Sequence, residues 1–124
     1  MIAEQVMTTQ EVANRMYELF KENKWMEVQQ ELFADDVVSI EPEHAQGLKT
    51  VSGKDGLRQK AEQFNAMVEE VHGGWSSEPL VGGNYISFAM GMDITMKGAG
   101  RTKMEEICLY EVKDGKVVKE QFFY

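Results

Sequence analysis

Two glutamates stand among apolar and aromatic neighbours in Met104–Tyr124, MEEICLYEVKDGKVVKEQFFY. Glu106 alternates with Met104, Cys108 and Tyr110, and Glu120 alternates with Val118, Phe122 and Tyr124. A carboxyl group held against such neighbours loses hydration, and its pKa rises. A carboxylate with a raised pKa is the kind of general base that works near neutral pH. Tyr110 or Tyr17 offers a phenol donor to a developing enolate oxygen. His44 follows the segment SIEPE, where a strand end would meet a pocket mouth, and is a further candidate. Asp93 is the lone charge in an otherwise uncharged strand. Burying it unpaired would be costly, so it is either a site residue or a surface residue. The competing reading of Glu106 and Glu120 is a solvated rim or pairing with lysines.

His44 with Glu106 and Glu120 would make a His–carboxylate metal set. No close ligand spacing such as HExxH supports it, and SGKDG lacks the spacing of a phosphate loop. Neither a metal nor another cofactor is expected. Met90, Met92 and Met104, with Phe88 and Phe122, either fill a core or line a pocket for an apolar, shape-variable ligand. Trp75 would add an aromatic wall. Cys108 reads as a buried small apolar residue, since nothing nearby would lower its thiol pKa.

Helices and strands must position these groups. Thr8 stands three residues before Glu11, a capping-box spacing, and Val12, Met16, Leu19 and Phe20 recur with helical period. This predicts a helix over Thr9–Glu22, with a shorter one over Trp25–Phe33. A strand follows over Val37–Glu41 and stops at Pro42. Ser52 precedes Asp55 at capping spacing, and the stripe Leu57, Ala61, Phe64, Met67, Val68 and Val71 predicts a helix over Lys54–Glu70. His72, just beyond, would cap its C-terminus. Strand-like segments follow over Trp75–Val81, Tyr85–Met96, Arg101–Val112 and Val117–Tyr124. Asp114-Gly115 makes the last turn.

That turn permits two registers. A two-residue loop pairs Lys113 with Lys116. A three-residue loop pairs Val112 with Lys116 and places Cys108 opposite Glu120 and Glu106 opposite Phe122. The second avoids facing two lysines and is preferred here. Both faces of this hairpin stay partly apolar, which predicts that one meets another subunit.

The 124 residues suit one domain over 1–124. A net charge of −8, with scattered basic residues, argues against nucleic-acid binding. No stretch is apolar over enough residues to span a membrane, and the first residues lack the pattern of a secretory signal. The default location is the cytoplasm.

The ordered pieces VANRMYELFKENKWMEVQQELFADDVVSIEP, SGKDGLRQKAEQF, a strand ending MDITM and the final MEEICLYEVKDGKVVKEQFFY carry a resemblance over nearly the whole chain. The sequence resembles the SnoaL-like polyketide cyclases of the nuclear transport factor 2-like (NTF2-like, cystatin-like) superfamily. The resemblance implies an α+β fold, with three helices covering the concave face of a cone-like, curved antiparallel sheet. It implies a pocket between helices and sheet, and a homodimer formed through the sheets. It also implies an acid/base carboxylate: Asp93 lies on a comparable strand, and His44 stands for the histidine that often accompanies the cyclase site. The function expected is a cofactor-free isomerase or cyclase acting on a small apolar molecule. The alternatives are a non-catalytic ligand binder and a dimeric interaction adaptor.

Overall fold

The computed structural model describes residues 6–45 and 47–124. Helix α1 spans Thr9–Lys21. Thr8 caps it as its spacing predicts: the Glu11 N–H donates to Thr8 Oγ1 at 3.1 Å, and the Thr8 N–H donates to Glu11 Oε1 at 2.9 Å. Val12, Ala13, Met16, Leu19 and Phe20 form its buried stripe. Asn23, in the left-handed region at φ 59°, turns the chain into α2, Trp25–Leu32. Strand β1, Phe33–Ile40, follows directly and ends two residues before Pro42. The two-residue strand β2, Val51–Ser52, leads into α3, Gly53–Met67.

Two expectations fail around α3. Ser52 occupies the N-cap but makes no side-chain capping bond. At the other end the helix stops at Met67, and Val68–Ser76 forms strand β3. The apolar spacing of Val68 and Val71 suits a helix, but both are β-branched and pair with Met96 and Ile94 of the neighbouring strand. His72 is therefore a strand residue, not a helix cap, and its Nε2 lies 2.7 Å from Thr95 Oγ1.

Pro79 separates β3 from the short β4, Leu80–Gly82. Strand β5, Tyr85–Met96, buries Ile86, Phe88, Met90 and Ile94 on one face. Strands β6, Gly100–Lys113, and β7, Lys116–Phe123, complete a curved, open sheet of order β2-β1-β7-β6-β5-β3, with β4 also paired to β5. The sheet is mixed rather than wholly antiparallel, because β1 runs parallel to β7. These strands lie far apart in sequence, so no hairpin fixes their relative direction.

The β6–β7 register corrects the preferred one. The loop has two residues, Asp114 at φ 52° and Gly115 at φ 74°, and Lys113 pairs with Lys116. The lysine pair is relieved because Lys116 Nζ donates to the Glu31 carbonyl at 2.8 Å. A bulge then shifts the pairing between Val117 and Lys119. Past it, Tyr110 stands opposite Glu120, and Cys108 opposite Phe122. Val117, not Val118, joins the buried core at the turn end, while Glu106, Cys108, Tyr110, Glu120 and Phe122 keep a common face.

The core lies where α1, α2 and the start of α3 meet this face, with Met16, Leu19, Leu32, Leu57, Ile86 and Phe88 almost fully buried. Beyond Leu57 the stripe of α3 changes role. Lys60, Ala61 and Phe64 are half-buried and border open space instead of packed side chains.

Candidate functional site

That open space is a cavity of about 810 Å³ between the helices and the concave face of the sheet. Phe20, Trp25, Phe64, Met92 and Met104 give it apolar walls, and Glu41, Lys60, Glu106, Tyr110, Glu120 and Tyr124 give it a polar side.

Glu41, Lys60, Glu120 and Tyr124 are joined through Ser39 in a continuous chain of hydrogen bonds. Ser39 of β1 and Glu120 of β7 are direct neighbours in the parallel register. The Ser39 hydroxyl donates to Glu120 Oε1 at 2.7 Å. Lys60, reaching from α3, donates to Ser39 Oγ at 2.7 Å and to Glu41 Oε2 at 2.6 Å. The Tyr124 hydroxyl donates to Glu41 Oε1 at 2.7 Å. Lys60 Nζ also lies 5.2 Å from the centre of the Phe122 ring. Ser39 is wholly buried, and Glu41 and Glu120 nearly so.

Burial decides the electrostatics. It pushes the Glu120 carboxyl up to about 7; the Ser39 hydrogen bond and the Lys60 charge oppose the rise, while Glu41 and Glu106 add to it. Burial also raises Glu106, against a weak contact from the Cys108 thiol 3.5 Å away. The Tyr110 phenol is pushed well above its ordinary range by burial, so it keeps its proton. Burial likewise raises the Cys108 thiol, which makes a thiolate unfavourable there.

The sequence-derived candidates divide. Glu106, Tyr110 and Glu120 border the cavity, as do Trp75, Met90, Met92, Met104 and Phe122. Asp93 is not brought to it: Arg101 holds it with two bonds of 2.9 and 3.0 Å on the far side of β5, and the guanidinium keeps its carboxyl below the ordinary range. Strand β5 pairs with β6 in unbroken register, so Asp93 stays on the face opposite Met90 and Met92. His44 is exposed outside the cavity, its ring edge-on to Tyr124 at 5.8 Å. The His44–Glu106–Glu120 set is therefore not assembled, and the described residues hold no cluster of three His, Cys, Asp or Glu side chains suited to a metal ion. Phe88 and Cys108 belong to the packed core, and Tyr17 packs beside it beneath Lys21.

Ser39, Glu41, Lys60 and Tyr124 were not among the candidates. Their signals are periodic. Val37, Ser39 and, just past the end of β1, Glu41 alternate onto one buried face. Lys60 sits three residues after Leu57 and four before Phe64, inside the apolar stripe of α3.

Helices backing a curved, open sheet around such a cavity define the NTF2-like class of α+β domain. An NTF2-like protein of unknown function from Burkholderia pseudomallei superposes with a TM-score of 0.75 at 18% identity, over 95% of this chain and 92% of that one. Within that class, the chain belongs to the SnoaL-like domain family, whose profile matches residues 7–124. A candidate SnoaL-like polyketide cyclase from Mesorhizobium loti, also described as a carbohydrate phosphatase, is 35% identical, with a TM-score of 0.88 over 95% of this chain and 100% of that one. The fold is shared with IdmH, a candidate polyketide cyclase from Streptomyces antibioticus, at 17% identity and a TM-score of 0.68 over 94% and 91% of the two chains. No curated protein matches the chain. No helix among the described residues is long and apolar enough to cross a membrane.

Proposed function

We propose that the cavity binds a small, largely apolar molecule carrying a carbonyl group, and that Glu120 removes a proton from the carbon beside that carbonyl. The observation that carries this reading is the nearly buried Glu120 carboxyl, which borders the cavity and is hydrogen-bonded to a hydroxyl backed by a cation. In the step, the C–H bond breaks, the proton passes to the Glu120 carboxylate, and the electron pair moves onto the carbonyl oxygen. Lys60 commits two of its three N–H donors to Ser39 and Glu41, which leaves one for the enolate oxygen. Glu106 is the second pocket carboxyl. Raised by burial, it supplies an O–H when protonated. The apolar walls select the body of the molecule and exclude water from the carbanion. The resulting chemistry is that of an isomerase or cyclase.

Deuterium incorporation next to the carbonyl tests this without a known substrate. A panel of apolar ketones, beginning with 2-tetralone, is incubated with the protein in D2O and followed by NMR. The wild type is expected to accelerate exchange of at least one member. The rate should climb with pH through about 7, as Glu120 loses its proton. Glu120→Gln is expected to lower the protein-dependent rate by about 100-fold or more. An undiminished rate in that variant would remove Glu120 as the base. No acceleration with any ketone that binds would leave a binding cavity without this chemistry.

We also propose that a second copy of the chain covers the outer face of β6 and β7. Ile107 and Phe123 are direct cross-strand neighbours there and about half exposed, with Tyr85 exposed on the adjoining strand. Glu111 and Lys119 stand opposite one another on the same face, 3.9 Å apart. A patch with both charges and an apolar centre can complement itself across a two-fold axis. Sedimentation is expected to show a dimer for the wild type and a folded monomer for Ile107→Asp; a monomeric wild type refutes it.

A further inference from the structure

Ser39 is the one member of the hydrogen-bond chain that is wholly buried and does not border the cavity, yet it joins two groups that do. Its hydroxyl accepts from Lys60 Nζ at 2.7 Å and donates to Glu120 Oε1 at 2.7 Å. Lys60 is fixed from the other side by Glu41, itself held by the Tyr124 hydroxyl. The bridging hydroxyl therefore has one direction of donation while Lys60 is an ammonium, towards Glu120.

We propose that Ser39 is a positioning residue that links Lys60 and Glu120 into one proton shuttle, with removal at Glu120 and delivery at Lys60. This rests on the reading of Glu120 as the base. Glu120 takes a proton from a substrate carbon and becomes neutral. An Nζ–H bond of Lys60 then breaks, its proton passes to the substrate oxygen, and the amine is left neutral. The site resets when the Glu120 proton passes to Ser39 Oγ and the Ser39 proton passes to Lys60 Nζ. The substrate has lost a proton at carbon and gained one at oxygen, and no outside acid or base is consumed. Such a shuttle suits reactions in which a carbanion forms and an oxyanion must be quenched nearby, as in ring closure of one carbonyl compound onto another carbonyl.

The titratable groups facing Glu120 are Lys60 from α3, Glu41 beyond β1, and Glu106, Cys108 and Tyr110 from β6. Any titration must be read against all of them. The test is the carbon-13 NMR titration of the Glu120 carboxyl in the wild type, Ser39→Ala and Ser39→Thr. Removing a hydrogen bond to a charged group should move the Glu120 midpoint upwards by about one pH unit in Ser39→Ala, and the threonine hydroxyl should restore it. A packing role alone would move thermal stability and leave the midpoint in place. If Ser39→Ala does not fold, Ser39→Cys replaces it as a variant of similar size and weaker donation.

The Lys60 end is tested by repeating the alanine substitution in a Glu41→Gln/Lys60→Met background. With no cation holding the hydroxyl, the shift should fall to less than half. An equal shift in both backgrounds, or none in either, overturns the shuttle while leaving Glu120 as a base. A wild-type midpoint in the ordinary glutamate range overturns the base itself, and the shuttle with it.

Discussion

Glu120→Gln is expected to make the protein more stable at pH 8 than the wild type by about 3 kcal/mol relative to the difference at pH 4. The sign follows from burial. The folded chain holds the Glu120 proton up to about 7, whereas an exposed glutamate releases it near 4.5. Below 4.5 both states are protonated, and the group has no effect on the pH dependence. Between 4.5 and 7 the unfolded chain gives up its proton while the folded chain keeps it. Wild-type stability therefore falls across that window at about 1.4 kcal/mol per pH unit. Above 7 both states are ionised, and the loss is constant. Glutamine keeps the shape and still accepts from the Ser39 hydroxyl, so the substitution removes the titration with little change in packing. Urea unfolding of both proteins from pH 4 to pH 8 measures the difference. Glu106, raised by the same cause, is present in both proteins and cancels to first order. A difference that stays flat with pH would mean that Glu120 is solvated, and would take away the physical basis of the proposed base. A carboxyl that weakens its own fold at working pH is the mark of a group kept for chemistry or recognition.

The elements that the sequence made legible are those fixed by local rules. Thr8 and Glu11 form their capping box, and Val12, Met16, Leu19 and Phe20 form the buried stripe of α1. What escaped were outcomes of competition between distant segments. Val68 and Val71 fit the helical stripe of α3 and a β-strand equally well by spacing; pairing with β5 decided for the strand. The lysine pair beside the last turn looked unfavourable only while the Glu31 carbonyl, 85 residues away in sequence, was out of view. The site divides in the same way. Glu106 and Glu120 were marked by their apolar neighbours in the chain. Ser39 and Lys60 gave a fainter sign, a polar residue in step with an apolar face, which reads as an outward turn until a partner is known. Their partners lie 81 and 19 residues away, so only the tertiary fold could reveal the chain of bonds.

Lys60→Met is expected to cost about 3–5 kcal/mol of stability. The Lys60 and Glu41 side chains are only 11% and 4% exposed, and their charged atoms lie 2.6 Å apart. Removing the ammonium leaves the Glu41 carboxylate without its cation in a site that water scarcely reaches. The Tyr124 hydroxyl still donates to it, but a neutral donor offsets only part of the loss. Against a typical total of about 5–15 kcal/mol, this is a large share, visible in the urea midpoint at once. The double variant Glu41→Gln/Lys60→Met separates a lost charge pair from lost packing. With both charges gone, no ion remains stranded, and the double variant should recover more than half of what the single one loses. The same substitution has a second consequence. Lys60 opposes the rise of Glu120, so in Lys60→Met the carboxyl should titrate above about 7. In the double variant the Glu41 charge that adds to the rise is also gone, and the displacement should be smaller. The two readouts need not move together. Stability recovers in the double variant because position 41 carries an uncharged glutamine, while the Glu120 titration keeps part of its displacement because its cation is still missing. A loss below about 1 kcal/mol in Lys60→Met would place the pair among solvated surface bridges. It would also deny Lys60 the fixed position that stabilisation of an enolate requires.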